Sequence, residues 1–151
     1  MSDPDPAPGP APDPAPDPAP DPAADELAVR NLISALSRTA DGDDMDAYLA
    51  LFAADAAWVL PDGERRGHDD IRAGSLERRA AGQVGPGSRT RHVVGTSVVQ
   101  LHGDRATAAS TWMFLTDTAT RPRIARTGTY DDEFVRDGGR WLLSRRVITF
   151  G

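Results

Sequence analysis

Four long strand-like runs follow one another in the last third of the chain: Thr90 to Leu101, Arg105 to Thr116, Arg123 to Val135 and Trp141 to Phe150. The segments between them, His102-Gly103-Asp104, Asp117 to Pro122 and Arg136 to Arg140, are short and rich in turn formers. A parallel crossover needs about a dozen residues or more, so runs joined this tightly must fold back as an antiparallel meander. What precedes them is helical in period. From Asp25 onward Val29, Leu32, Ile33, Leu36 and Ala40 share one face of a helix that Asp41-Gly42 ends. A second, shorter helix follows, capped by Asp43 or Asp44, with Met45, Tyr48, Leu49 and Phe52 as its stripe. Ala56 to Leu60 reads as a strand, Pro61-Asp62-Gly63 as a turn and Glu64 to Arg66 as a short returning strand. A third helix runs from roughly Asp69 to Ala81 with Ile71 and Leu76 inward, and the glycine-rich Gly82 to Ser88 segment is a loop. Helices first and a sheet afterwards predict an α+β fold. A long, strongly bent sheet with three helices across one face leaves a concavity, which is the expected pocket.

The first 23 residues are of another kind. They are Asp-Pro and Ala-Pro dipeptides with no large apolar side chain after Met1, so they hold nothing that could form a core. Proline fixes φ and removes donors, and the expectation is a disordered leader over residues 1–23 with polyproline II character, ahead of one domain over residues 24–151. It lacks the basic start and apolar stretch of a secretory signal and the arginines of a transit peptide. No apolar run is long enough to span a bilayer, and the expected location is the cytoplasm. The leader's five aspartates account for most of the formal charge of −6. With so little net charge left on the domain, phosphate-driven binding to nucleic acid is not expected.

The inventory of reactive side chains is narrow. There is no cysteine and no lysine, and all seventeen basic residues are arginine. That excludes thiol nucleophiles, Schiff bases and cysteine metal clusters. His68, His92 and His102 lack any ligand spacing such as His-x-x-x-His, so no metal is expected. His68 reads as a helix-start residue, capping or exposed, and His102 as a solvated turn residue. Gly85-Pro86-Gly87 has neither a following helix nor a Lys-Ser/Thr and is no phosphate loop. What remains is a pair far apart in sequence: Asp41 at a helix end and His92 at a strand start. An imidazole exchanges a proton near neutral pH, and a carboxylate on its second nitrogen would fix the tautomer and stabilise the imidazolium. Each residue also has an ordinary reading, a turn aspartate and a half-buried histidine.

Period two assigns the strand faces. His92, Val94, Thr96 and Val98 share one side of the first run, and Ser110, Trp112 and Phe114 share one side of the next. Arg126, Gly128, Tyr130 and Phe134 lie together on the third. If His92 faces inward, Trp112, Phe114 and Tyr130 are the walls of an aromatic pocket. Such walls suit a small, largely apolar, oxygenated metabolite. Arg126 and Arg146 have a second reading as ion-pair partners of Asp131, Asp132 or Glu133 at the rim.

Four segments in register carry a family likeness: Ala40-Asp41-Gly42-Asp43-Asp44-Met45-Asp46-Ala47-Tyr48 continuing to Trp58, Gly67-His68-Asp69-Asp70-Ile71-Arg72, Thr90-Arg91-His92-Val93-Val94-Gly95, and Gly128-Thr129-Tyr130-Asp131-Asp132-Glu133-Phe134 before Gly139-Arg140-Trp141. From Asp25 to Phe150 the chain resembles SnoaL-like proteins of the nuclear-transport-factor-like superfamily. The branch most similar contains scytalone dehydratase, bile-acid dehydratase and hexachlorocyclohexane dehydrochlorinase. The resemblance implies a cone-shaped α+β barrel, a catalytic dyad at Asp41 and His92, and a homodimer or homotrimer. It implies a cavity lined by Trp58, Trp112, Phe114, Tyr130 and Arg146. With Tyr48 from the second helix and Arg126 from the third long strand, these complete the candidate substrate-binding set. Departures are equally specific. Ala40 stands where scytalone dehydratase has a tyrosine, Thr116 falls near its second active-site histidine, and Leu36 falls where the dehydrochlorinase has a lysine.

The expected activity is a lyase or isomerase working without a cofactor. In it the dyad would abstract a carbon-bound proton next to a carbonyl or leaving group, on a polyketide, terpenoid or steroid intermediate. Departure of a hydroxyl needs a donor, for which Tyr130, Arg126 and the returning His92 are available. Two alternatives stay open: a cyclase or epoxide hydrolase, which would want paired acids where the inner-face runs offer Asp41 alone, and a non-catalytic binding or assembly module.

Overall fold

The computed structural model describes residues 21–151, so the expected leader lies outside the described residues as far as position 20. Helix α1 spans Pro22–Asp41, starting earlier than its apolar stripe suggests. The reason is local. Asp21 caps it, its side chain accepting from the N–H of Ala23 at 3.0 Å and of Ala24 at 3.3 Å. Pro22 then occupies a first-turn position where a missing N–H is no loss and φ is preset. The boundary drawn between residues 23 and 24 therefore falls inside α1.

Helix α2 is Met45–Leu49, capped by Asp44, which accepts from the Ala47 N–H at 2.8 Å. Phe52 leaves the helical stripe and opens strand β1, Phe52–Leu60. Strand β2 is Gly63–Arg66 and helix α3 Gly67–Ala80. Ile71 is buried on α3, but Leu76 is 50% exposed. At about 100° per residue the inward stripe runs from Ile71 through Gly74 and Ser75, and position 76 points away. Gly74 is small for a reason: a Cβ there would lie 2.8 Å from Arg65 Nε. The remaining strands are β3 Arg91–His102, β4 Arg105–Thr116, β5 Arg123–Asp137 and β6 Arg140–Phe150.

The six strands form one sheet in the order β2-β1-β6-β5-β4-β3, antiparallel throughout except for the parallel β1–β6 pair. The α+β class is as expected, but the sheet is not a closed barrel. β2 and β3 are its edges, and α1 packs against β3 instead of a seventh strand. Three register shifts interrupt the four-stranded meander, between Val94 and Ser97, at Phe114/Leu115 and at Glu133/Phe134. An extra residue in one strand bends it and increases its twist.

The first shift also changes which side chains face inward. His92 and Val94 lie on the inner side as expected. Beyond the shift Ser97, Val99 and Leu101 take over, while Thr96 is exposed and Val98 is 64% exposed. A slip of one residue moves every following side chain to the other face. Ser97 Oγ now meets the buried Ser110 Oγ at 2.8 Å.

The main core gathers Val29, Ile33 and Leu36 of α1, Leu49 of α2, Phe52 of β1, Ile71 of α3, Phe134 of β5 and Leu143 of β6. Burying an aliphatic or phenyl side chain of this kind contributes about 1.5–3 kcal/mol. Among the described residues no helix is long and apolar enough to cross a membrane.

Two polar fastenings reinforce this packing. Arg146 and Asp132, cross-strand partners on β6 and β5, form a buried two-pronged pair, Nε to Oδ1 at 2.7 Å and Nη2 to Oδ2 at 2.6 Å. Asp25 near the start of α1 accepts from Trp141 Nε1 at 3.1 Å and pairs with Arg136, whose guanidinium lies over the Trp141 ring. The Arg136 hydrogen bond first, and that of Trp141 second, hold the Asp25 carboxyl below its ordinary value of 3.8.

Both fastenings give measurable expectations. Asp132→Leu leaves a buried guanidinium unpaired and should lower unfolding free energy in urea by about 3–5 kcal/mol, whereas adding Arg146→Met should recover most of that loss. Asp25 carries a depressed carboxyl, so its contribution is present above pH 3.8 and is lost as pH falls below it. Asp25→Asn should therefore lower the melting temperature at pH 7, with the gap to wild type closing on acidification below that value.

Candidate active site

The dyad residues come from two elements that only the tertiary fold brings together. Asp41 is the last residue of α1, and Gly42 follows as its C-cap. A carboxylate there meets the negative end of the helix dipole, an arrangement that costs about 0.3–1 kcal/mol unless it is compensated. The compensation comes from one residue. Asp41 Oδ1 accepts from His92 Nδ1 at 2.8 Å, and Asp41 Oδ2 accepts from the His92 backbone N–H at 2.9 Å. The Asp41 side chain is 5% exposed and that of His92 21%.

This geometry settles the tautomer. A carboxylate can only accept, so Nδ1 carries a proton, and in the neutral imidazole the lone pair is then on Nε2. Nε2 has no hydrogen-bond partner among the described residues, and His92 lines a cavity of about 1080 Å³ while Asp41 stands behind it.

That cavity also answers where the sheet bends. Trp58 on β1 and His92 on β3 both line it, although four inter-strand spacings separate their strands, about 19 Å if the sheet were flat. The sheet must curl to bring them round one space. Tyr48, Trp112, Phe114, Arg126, Tyr130 and Arg146 line the same cavity, so the expected pocket residues are gathered there.

The walls are ordered by stacking. Trp112 and Tyr130 stack at 5.5 Å with 15° between planes, Phe114 packs on His92 at 4.8 Å, and Tyr48 meets Trp58 edge-on at 6.4 Å. Gly128 is what lets Trp112 lie down, since a Cβ there would come within 2.7 Å of its ring. Arg146 lies 4.0 Å from the Tyr130 ring centre and 5.5 Å from that of Trp58. Burial works against its charge, but Asp132 outweighs burial and holds the guanidinium above its ordinary range. Arg126 is different: it is exposed at the rim over Phe150.

Burial pushes both cavity phenols, Tyr48 and Tyr130, up to about 12, against the opposing pull of Arg146. At neutral pH each is therefore a hydroxyl and a donor. The indole N–H groups of Trp58 and Trp112 are enclosed without an acceptor among the described residues.

Three features escape a reading of the sequence. Asp132 is a second interior carboxylate, contrary to the expectation that Asp41 is alone, although the period-two series Tyr130, Asp132, Phe134 on β5 carries the signal. Ile148 and Phe150 also line the cavity and alternate with Arg146 along β6. Arg78 on α3 lines it too, and nothing in the local pattern marks it. His68 neither caps nor faces water freely; its Nε2 lies 3.0 Å from the Phe52 carbonyl oxygen. Among the described residues no three histidine or carboxylate side chains converge as metal ligands would.

Comparison with solved structures shows the same fold elsewhere. A cystatin-like protein of unknown function from Nostoc punctiforme is 24% identical, with a TM-score of 0.77 over 85% of this chain and 92% of that one. ActVI-ORFA from Streptomyces coelicolor is 21% identical, with a TM-score of 0.72 over 83% of this chain and 96% of that one. A candidate scytalone dehydratase from Novosphingobium aromaticivorans is 17% identical, with a TM-score of 0.67 over 85% of each. Comparison with curated proteins found no match. The family profile described as a SnoaL-like domain matches residues 21–147, nearly all of the described chain. With that profile covering well over half of the chain, the chain belongs to the SnoaL-like family.

Proposed function

We propose that the protein is a cofactor-independent lyase or isomerase in which His92 abstracts a carbon-bound proton, held and polarised by Asp41. One observation carries this reading: the 2.8 Å contact of Asp41 Oδ1 with His92 Nδ1, in a histidine that lines the cavity and whose Nε2 has no hydrogen-bond partner among the described residues. No serine or thiol nucleophile is needed, and the aromatic walls suit a largely apolar, oxygenated substrate of the polyketide, terpenoid or steroid kind. The family includes dehydratases and cyclases, and the scytalone dehydratase named among the similar structures supports the same class.

In a dehydration, Nε2 takes the proton from the carbon next to a carbonyl, and the electron pair of that C–H bond moves toward the carbonyl oxygen. The imidazolium that forms is stabilised by Asp41. Tyr48 and Tyr130, kept protonated by burial, and the free Nη1 of Arg146 are donors for the developing oxyanion. The carbon–oxygen bond then breaks as His92 returns its proton to the leaving hydroxyl, so water and a carbon–carbon double bond result. A cyclase or epoxide hydrolase reading would want paired acids beside the base, and the interior carboxylate Asp132 is occupied by Arg146.

The test is a panel of β-hydroxy ketones assayed for both binding and turnover. His92→Gln and Asp41→Asn should each keep ligand affinity within a few fold and lose about 10²–10⁴-fold in kcat. Undiminished turnover by His92→Gln removes the dyad from the mechanism. Binding without turnover in wild type across the panel would favour a non-catalytic module instead.

A further inference from the structure

Most charges around the cavity are neutralised by neighbours. Asp41 and Asp132 are held by His92 and Arg146. Arg65 pairs with Asp70 at 3.2 Å and Glu77 at 2.6 Å. Arg79 donates to the carbonyl oxygens of Thr39, Ala40 and Asp43 and so covers the end of α1.

Arg126, exposed over Phe150, makes no ion pair either, but the half-buried exception is Arg78. It sits in the last turn of α3, half-buried, in the wall that also holds Tyr48 and His92. Its one hydrogen bond among the described residues is a 3.3 Å contact with Ser75 Oγ on its own helix, and none of the ion pairs includes it. The acids that act on it from further away are Glu77, which already holds Arg65, and Asp62, exposed in the β1–β2 turn. Burial pushes its guanidinium below the ordinary arginine range, as expected of a cation that has lost water without gaining a counter-ion. Such a charge is unfavourable unless something anionic meets it.

The surroundings select what that something is. The Tyr48 hydroxyl lies in the combined field of Arg146, Arg78 and Arg79 and stays protonated, so it adds a donor to the same side of the cavity. Only one of these guanidiniums is without a partner. A single free guanidinium with a phenol nearby matches a monoanion with two acceptor oxygens, which Arg binds in a two-pronged way. A phosphate dianion would want more cations than this, and Glu77 and Asp62 near Arg78 oppose a second negative charge more than a first.

We infer that Arg78 is an anion-binding residue of the cavity, and that the ligand carries a carboxylate held on the Arg78 and Tyr48 side while its apolar body extends along the aromatic wall toward His92. The inference rests on the proposed function only in taking this cavity as the substrate site. It adds a charge to a substrate otherwise defined by apolar walls. It also gives the substrate a direction, with the acidic group remote from the carbon that His92 attacks.

Calorimetric binding to the full chain tests it with 2-naphthoate, 2-naphthamide and 2-naphthyl phosphate as probes. Wild type should bind the carboxylate at least about tenfold more tightly than the amide, the scale of one charge-assisted contact. Arg78→Gln should abolish that preference while changing amide affinity less than about twofold, and Arg78→Lys should keep part of it. Raising salt should weaken binding of the carboxylate and not of the amide. Equal affinity for acid and amide in wild type, no binding of the carboxylate, or an undiminished preference in Arg78→Gln overturns the inference. Tighter binding of the naphthyl phosphate than of the carboxylate overturns the assignment of the anion. Because His92→Gln should leave the acid-over-amide preference intact, loss of the dyad reading and loss of this one are separable.

Discussion

The Asp41 carboxylate receives two hydrogen bonds from a single residue, one from the His92 ring and one from its backbone N–H. The second bond gives the first its structural weight. β3 is an open edge of the sheet, and its early N–H groups need acceptors that no further strand supplies. Asp41 supplies one of them, and in doing so it fastens the end of α1 to the start of β3. The helix then covers the concave side of the sheet, and the cavity exists because that cover is held at its far end. The carboxylate that would orient a base is thus also a joint of the fold, with one oxygen on the ring and the other on the backbone.

The other interior ion pair has a different character. Arg146 and Asp132 face each other across two adjacent strands, both fully enclosed. Desolvation of two charges roughly cancels the attraction between them, so the pair is weak evidence of net stabilisation. What it supplies is placement. Asp132 holds the guanidinium flat beside the Tyr130 ring and under Trp58, with Nη1 left over. An apolar pair could fill the same volume but could not present an N–H to a ligand.

How much of this is legible in the sequence depends on the range of the cause. Helix stripes, strand succession and the Asp41 and His92 positions follow from local period and family register, and the elements form where those signals lie. The start of α1 is missed because a proline normally ends a reading of helix, whereas Pro22 behind Asp21 begins one. The inner face of β3 is half missed because the register shift after Val94 leaves no mark in an alternating pattern except Gly95. That the curved sheet stays open at β2 and β3 is not legible, because strand succession cannot tell a sheet that meets itself from one flanked by a helix. Arg78 is invisible for a sharper reason: its distinction is a partner it lacks, and only the packed neighbourhood of α3 can reveal that.

These polar groups together narrow the chemistry. Behind the cavity wall two carboxylates are occupied, Asp41 by the imidazole and Asp132 by the guanidinium, while Asp62, Glu64, Glu77 and Asp117 line it further out. The groups left over are His92 Nε2, which can accept a proton, and a surplus of donors from Tyr48, Tyr130 and the arginines. One base facing many donors favours removal of a single proton with stabilisation of the negative charge left behind. The same imbalance fits the oxygenated character expected of the ligand, since an apolar molecule without acceptors would leave these donors unmatched. In the proposed reaction Asp41 would thus have two effects, holding the base and being unavailable as a second acid.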